Sequence, residues 1–448
     1  MPASLFDSPL FAQLFPTGEA GRLFSDSAAI RAMLLVEGAL ARAQGAAGVI
    51  PEISAAAIQR AALEVQIDPA ALAESTGTNG VCVPGLVAAF QTAMNAPEHA
   101  QYVHWGATSQ DIMDTALMLR LRQCLKLMEA DLRAVLATLA TQAGQHATTA
   151  MPARTYGQAA VPTTWGAVVA QWGDPLADAL DDLPDLRRKA LLVSLSGAAG
   201  TASALGTDPT ALRATMAETL GLADSGRGWH TDRTPILRIA DWILRLTMAL
   251  GAMANTLIAL SASGIGEIGF GGAGASSTMP QKQNPVAASA LSSLAMQTGP
   301  LRAGLQAAAT HEHQRDGAAW FAEWALLPQL CLAGASALTI ARSLAAGLAP
   351  DADRMRTALD ADGGLILAEA LSFALAARLP RPEAQAETKR LCRAATETGH
   401  PLRDVALEAH PDLDQALFDP AAQTGCAPDA ARAFAARVRA LQEAQSEN

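Results

Sequence analysis

The sequence predicts an all-α protein organised around a bundle of long helices. Three observations carry this. Half of the 448 residues are apolar, yet only 4% are aromatic and two are tyrosine, which is poor material for sheets. Alanine and leucine dominate, favouring helices that approach closely through small side chains. Leu117, Leu121, Leu125, Met128, Leu132, Val135, Leu136 and Leu139 recur at three- and four-residue intervals, the apolar stripe of a single helix. Running to about residue 146, that helix is on the order of 40 Å or more in length, and elements so long belong to bundles.

A chain of 448 residues is too long for one compact core. We divide it into an N-terminal helical domain (1–111), a central long-helix domain (112–352) and a small C-terminal helical domain (353–448). Residues 1–24 read as irregular. Ser25 or Asp26 can cap a helix whose buried face holds Ile30, Met33, Leu34 and Leu40. A second helix covers about 54–65. The stretch 75–85, STGTNGVCVPG, reads as a polar loop presenting Thr76, Thr78 and Asn79. In HWGATSQDIMDT (104–115), Thr108, Ser109 and Asp111 form a helix-start signature, while His104 and Trp105 exceed what capping needs.

After the long helix, MPARTYGQAAVPTT (151–164) gathers Arg154, Thr155, Tyr156 and Gln158 between apolar segments. A helix follows from about Pro162, to be kinked or ended by Pro175 and Pro184. Residues 194–207 form a small-residue hinge. WHTDR (229–233) precedes a helix from about 234, and His230 is either a site residue or a neighbour of its cap. That helix enters an uncharged run, Leu246 to Gly266, long enough to cross a bilayer. Its Ala, Gly, Ser, Thr and Asn content and lack of an aromatic belt fit the centre of a bundle better.

Gly271 to Pro285, GGAGASSTMPQKQNP, has neither helical nor alternating periodicity and reads as a mobile loop. Ser276 and Ser277 supply hydroxyls, Lys282 a compact cation and Asn284 an amide, a set suited to an anionic small molecule under a closing lid. A helix starts near Pro285. HEHQRDGAAWFAEW (311–324) then holds Arg315, three acids and two histidines; His311 and His313, two residues apart, do not share a helix face, and no metal site is expected. GGLILAEA (363–370) is a helix start, Pro380 and Pro382 form a joint, and 383–448 is charged, Ala-rich and amphipathic.

The net charge of −11 argues against nucleic acid or an anionic membrane as partner, though a local basic cluster can still hold an anion. Five dispersed cysteines without a CxxC pair read as reduced and intracellular. MPASLFDSPLF shows no basic or apolar leader pattern, so no signal peptide is expected and the location reads as cytoplasmic. GIGEIG (264–269) fits a dinucleotide fingerprint only formally, because no strand precedes it and no helix follows. P-loop, HExxH and G-x-S-x-G motifs are absent, and no cofactor is expected.

The loop resembles the fumarase/aspartase signature G-S-S-x-M-P-x-K-x-N-P from Ser276 to Pro285, with Ala275 at the family's glycine and Gln281 and Gln283 flanking Lys282. His104 to Thr115 resembles the family's H-x-G-x-T-S-x-D-x-x-D-T segment, and Arg154 to Gln158 its R-T-H-x-Q segment with Tyr156 in place of histidine. The resemblance implies a three-domain fumarase/aspartase-like fold and a homotetramer with a twenty-helix core and active sites shared between subunits. It implies elimination across a carbon–carbon bond beside a carboxylate, or the reverse addition, with Ser276 moving the proton and Lys282 supporting it. Thr108, Ser109, His104, Arg154, Tyr156, Gln158, Asn284 and Arg315 would bind the substrate.

Tyr156 narrows the choice. Amines leave poorly without a proton donor, and tyrosine, with a pKa of about 10, is a weak one. A carboxylate, with a pKa of about 4, leaves unaided. The chain resembles, over nearly its whole length, the family's cycloisomerase branch of aromatic catabolism, which closes a lactone on a tricarboxylate. The alternatives are an adenylosuccinate- or argininosuccinate-type lyase releasing fumarate, and a non-enzymatic structural protein on the same fold, as in lens crystallins.

Overall fold

The computed structural model describes residues 4–270, 274–275, 279 and 282–446. It is helical almost throughout, as the composition predicts. Four long helices dominate: Ser109–Gln145, Thr234–Leu260, Val286–Ala308 and Gly317–Ala346. The first ends one residue short of the predicted limit. The second and fourth are long and apolar enough to cross a membrane, but 50% and 67% of their most apolar windows are buried, as in core helices.

The chain forms two compact units. The first comprises residues 1–131, 179–248 and 293–339. Ser25 caps the helix Asp26–Ala46, its side chain accepting the Ala28 N–H at 3.3 Å. The next helix, Glu52–Glu64, packs tightly against it: a Cβ built at Gly38 would lie 2.9 Å from the Ala62 Cβ, and one at Gly45 2.4 Å from the Ala55 Cβ. The small-residue composition serves this close approach. Leu34, Val36, Leu40, Ile58, Leu86, Phe90 and Ile112 fill the core between these helices and the start of the first long helix. Trp229 and Trp242 are buried, their indole N–H groups donating to the carbonyls of Val193 and Ala179.

Two expectations in this unit need correction. A short helix, Gly18–Leu23, interrupts the irregular N-terminus. Within 75–85, read as a loop, residues 75–79 belong to the helix Ala73–Asn79, which ends at Gly80 with φ +69°, and 83–85 open the helix Val83–Met94. Thr76 and Thr78 donate to the carbonyls of Leu72 and Glu74, and Asn79 to that of Ser75. Polar side chains in a helix satisfy their own backbone in this way, so their hydroxyls signal no ligand.

The second unit comprises 132–178, 249–292 and 340–448. Strands Ala150–Thr155 and Gln158–Thr164 form an antiparallel hairpin, which the sequence reading missed. Tyr156 (φ +53°) and Gly157 (φ +76°) make its two-residue turn. The following helix starts at Trp165 and carries Pro175 inside it. Ile268–Phe270 pairs with Leu348–Pro350, and Gly274–Ala275 with Gln283–Asn284, both antiparallel. Near the C-terminus Leu371, Leu375, Leu391, Leu402 and Ala406 build a separate small core. Pro380 precedes the helix Arg381–Thr398, and Pro382 lies in its first turn, matching the predicted joint.

Gly106, inside the 104–108 segment, has φ +73°, and a Cβ there would fall 2.2 Å from the Ala204 carbonyl oxygen. Strain at such positions costs of order 1–3 kcal/mol before any clash. Gly106→Ala should therefore lower stability by at least about 1–3 kcal/mol, read as an earlier midpoint in urea unfolding.

Candidate active site

In the first unit, polar groups gather where the first long helix begins. Asp111 is fully buried, and its carboxylate accepts four hydrogen bonds. Oδ2 takes the Thr108 N–H at 3.1 Å and the Gly197 N–H at 2.9 Å. Oδ1 takes the Ser196 N–H at 2.8 Å and lies 2.8 Å from His230 Nε2. The contact to Thr108 is half of a capping box, while the others tie the 194–207 hinge and the WHTDR segment to the helix start. His230 thus belongs to this cluster and is buried.

Arg315 closes the mouth of the cluster. Its Nε donates to Gln110 Oε1 at 2.9 Å, and its Nη2 to Thr108 Oγ1 and the Ala198 carbonyl, both at 3.1 Å. Gln110 in turn donates to the His230 carbonyl at 2.9 Å and to Asp114 at 3.2 Å. Behind it lies a buried triad. Arg233 forks onto Asp114 at 2.8 and 3.1 Å, and onto Glu323 at 2.9 and 2.6 Å. Burial acts to lower the Arg233 pKa, but the two carboxylates reverse it and hold the guanidinium above its ordinary value. Burial also pushes the Glu323 carboxyl up; Arg233 opposes this and Asp114 adds to it, because one cation faces two acids.

His104, with φ +63°, places Nδ1 2.7 Å from Oε1 of buried Glu37. Burial would depress this imidazole, yet the hydrogen bond and charge of Glu37 outweigh it and raise the pKa. Trp105 is anchored through its carbonyl, which accepts from Gln44 at 2.7 Å. Ser109 is half-buried in the first helical turn.

The other expected site residues lie in the second unit. Arg154 grips buried Glu267 through both terminal nitrogens, one contact at 3.0 Å. Tyr156 at the hairpin tip is fully exposed, and Gln158 beyond it is exposed too. Lys282 is exposed, its backbone N–H donating to the Met279 carbonyl at 3.0 Å, and Asn284 is half-buried in the strand pair. Ser276 and Ser277 lie outside the described residues.

The structure thus brings Thr108, Arg315 and their partners into one network, with His104 and Ser109 beside it. The sequence reading missed Glu37, Asp114, Arg233, Glu267 and Glu323 as parts of these clusters. Asp111 did carry a signal, its position three residues after Thr108.

A family model described as lyase matches residues 17–298. The chain belongs to this lyase family. The chain is 39% identical, over 93% of each chain, to 3-carboxy-cis,cis-muconate cycloisomerase of Pseudomonas aeruginosa. It is 38% identical to nitrosuccinate lyase of Streptomyces davaonensis, over 95% of this chain and 94% of that one. Its fold superposes on the crystal structure of 3-carboxy-cis,cis-muconate lactonizing enzyme from Pseudomonas putida with a TM-score of 0.90 at 35% identity, covering 97% of this chain and all of that one.

Two outcomes follow from the charge arrangement. Glu37→Gln should lower the His104 pKa, read by NMR titration of the ring. A raised histidine pKa stabilises the fold fully below the unfolded value of about 6.5 and loses that effect as pH rises through the folded value. The stability deficit of Glu37→Gln should accordingly be largest on the acid side. Arg233→Met strands two buried carboxylates and should cost about 3–5 kcal/mol in urea unfolding at neutral pH.

Proposed function

We propose that this protein is a cycloisomerase interconverting 3-carboxy-cis,cis-muconate and carboxymuconolactone. The observation that carries the reading is the 39% identity over 93% of both chains to the P. aeruginosa cycloisomerase. Tyr156, where a nitrogen-expelling relative needs histidine, agrees with it.

In the lactonising direction a substrate carboxylate oxygen adds to an alkene carbon, forming a C–O bond. The neighbouring carbon, beside another carboxylate, takes the proton from the Ser276 hydroxyl. In reverse, Ser276 removes that proton and the carboxylate leaves as a stable anion with no general acid. Lys282 stabilises the serine oxyanion and the negative charge that builds beside the substrate carboxylate. Thr108, Ser109, His104, Asn284, Tyr156 and Gln158 bind and orient the tricarboxylate. Arg315 and Arg154 contribute through donors left after their bonds to Thr108, Gln110 and Ala198 and to Glu267. Against its burial, the pairing with Glu37 raises the His104 pKa and so favours its cationic form.

The assembly is a cytoplasmic homotetramer with a twenty-helix core, its sites completed by neighbouring subunits. The exposure of Tyr156, Gln158 and Lys282 in the single chain supports this.

The likeness to nitrosuccinate lyase favours a second reading, elimination from a substituted succinate. The test follows the absorbance of 3-carboxymuconate and, separately, fumarate release from argininosuccinate, adenylosuccinate and nitrosuccinate. Muconate turnover should dominate, and Ser276→Ala should lower it about 10²–10⁴-fold, the scale of a lost proton-transfer group. Equal turnover in both enzymes removes Ser276 from the mechanism, and fumarate release without muconate turnover overturns the cycloisomerase reading.

A further inference from the structure

We propose that the first unit carries a second anion site, apart from the candidate active site. It lies in a cleft of about 470 Å³ walled by the helices Asp26–Ala46 and Glu52–Glu64, the first long helix and the helix Pro209–Leu220. Arg31, Arg42, Arg120 and Arg122 line the cleft, with Leu35 and Leu119 among its apolar walls, and no aspartate or glutamate lines it. In a chain of net charge −11 this concentrates positive charge in one concave place.

Helix capping accounts for part of the arrangement. Arg31 Nη1 donates to the Ala62 carbonyl at 2.6 Å, in the last turn of Glu52–Glu64. Arg122 Nη1 donates to the carbonyls of Leu220 and Gly221, the latter at 2.8 Å, where Pro209–Leu220 ends. Cations belong at such ends. Each contact occupies one nitrogen of a five-donor fork and fixes where the rest of it sits.

Capping accounts only weakly for Arg120, whose one contact to a helix end, Leu23 of Gly18–Leu23, is long, and not at all for Arg42. The Arg120 Nε is buried with no hydrogen-bond partner, and its Nη1 reaches the Leu23 carbonyl only at 3.5 Å. Burial holds its pKa below the ordinary guanidinium value. Arg42 is exposed, and no hydrogen bond or ion pair engages it among the described residues. Arg120 feels the charge of Asp26, but no acid bonds to it among the described residues, and a bound oxyanion would engage its donors as a pair. The ligand class is therefore a small molecule with two or more oxyanion groups on an apolar body, either a polycarboxylate or a phosphate ester. The cleft volume lies in the range of small-molecule pockets.

Calorimetric titration of the full-length protein tests this, with benzene-1,2,4-tricarboxylate and inorganic phosphate as probes. At least one should bind with a Kd below about 1 mM. Arg42→Ala and Arg120→Met should each weaken that binding tenfold or more, with thermal melting as the fold control for the buried arginine. Arg42→Ala should leave muconate turnover unchanged, and Lys282→Ala should leave cleft binding in place. Tighter tricarboxylate binding marks the carboxylate source, and tighter phosphate binding the ester. Absence of binding by both probes, or an affinity unchanged in Arg42→Ala, overturns the proposal; binding lost only in Lys282→Ala assigns the heat to the active site instead.

Discussion

The buried Asp111 carboxylate is the contact on which the first unit's polar cluster depends. Its two oxygens accept from Thr108, Ser196, Gly197 and His230, so one side chain aligns the start of a 37-residue helix, a glycine-rich hinge and the segment before the second long helix. A carboxylate removed from water is tolerated only when its lone pairs are satisfied. With four bonds it is, and satisfaction of this kind demands one arrangement of the three segments. The Thr108 hydroxyl and the Arg315 guanidinium take their places from that arrangement.

Arg233 sets the same constraint one layer deeper. Two acids share one guanidinium in a dry environment, and Gln110 links this triad back to the His230 carbonyl and to Arg315. Buried ion pairs are weak sources of net stability but strong sources of specificity of position. Here they hold the fourth long helix, through Glu323, to the first, through Asp114. The interior chemistry is thus a chain of fixed donors and acceptors that ends at Arg315.

Much of the fold was legible because it rests on local rules. The Ser25 cap, the apolar stripe from Leu117 to Leu139 and the proline joints at 380 and 382 all left marks within a few residues. The hairpin left almost none, since its strands are rich in alanine and proline and its turn puts a tyrosine at positive φ, where glycine or asparagine would be the usual signal. Thr76 and Thr78 misled because a hydroxyl looks the same whether it serves a ligand or its own helix. In the site, Thr108 and Arg315 could be singled out one by one. Their supports could not, because Arg233 lies 119 residues from Asp114 and 90 from Glu323, and pairs so remote have no local signature.

Tyr156 occupies a left-handed turn outside every hydrophobic core of its own chain. His104 and His313 adopt the same backbone region elsewhere in the molecule, with φ of +63° and +50°. An imidazole at the hairpin tip would therefore meet no more backbone strain than the tyrosine does, and leave no void behind. On the function proposed above, in which residue 156 decides the group that can leave, that choice is decoupled from the integrity of the scaffold, and descent could exchange one reaction for another here without passing through an unstable ancestor.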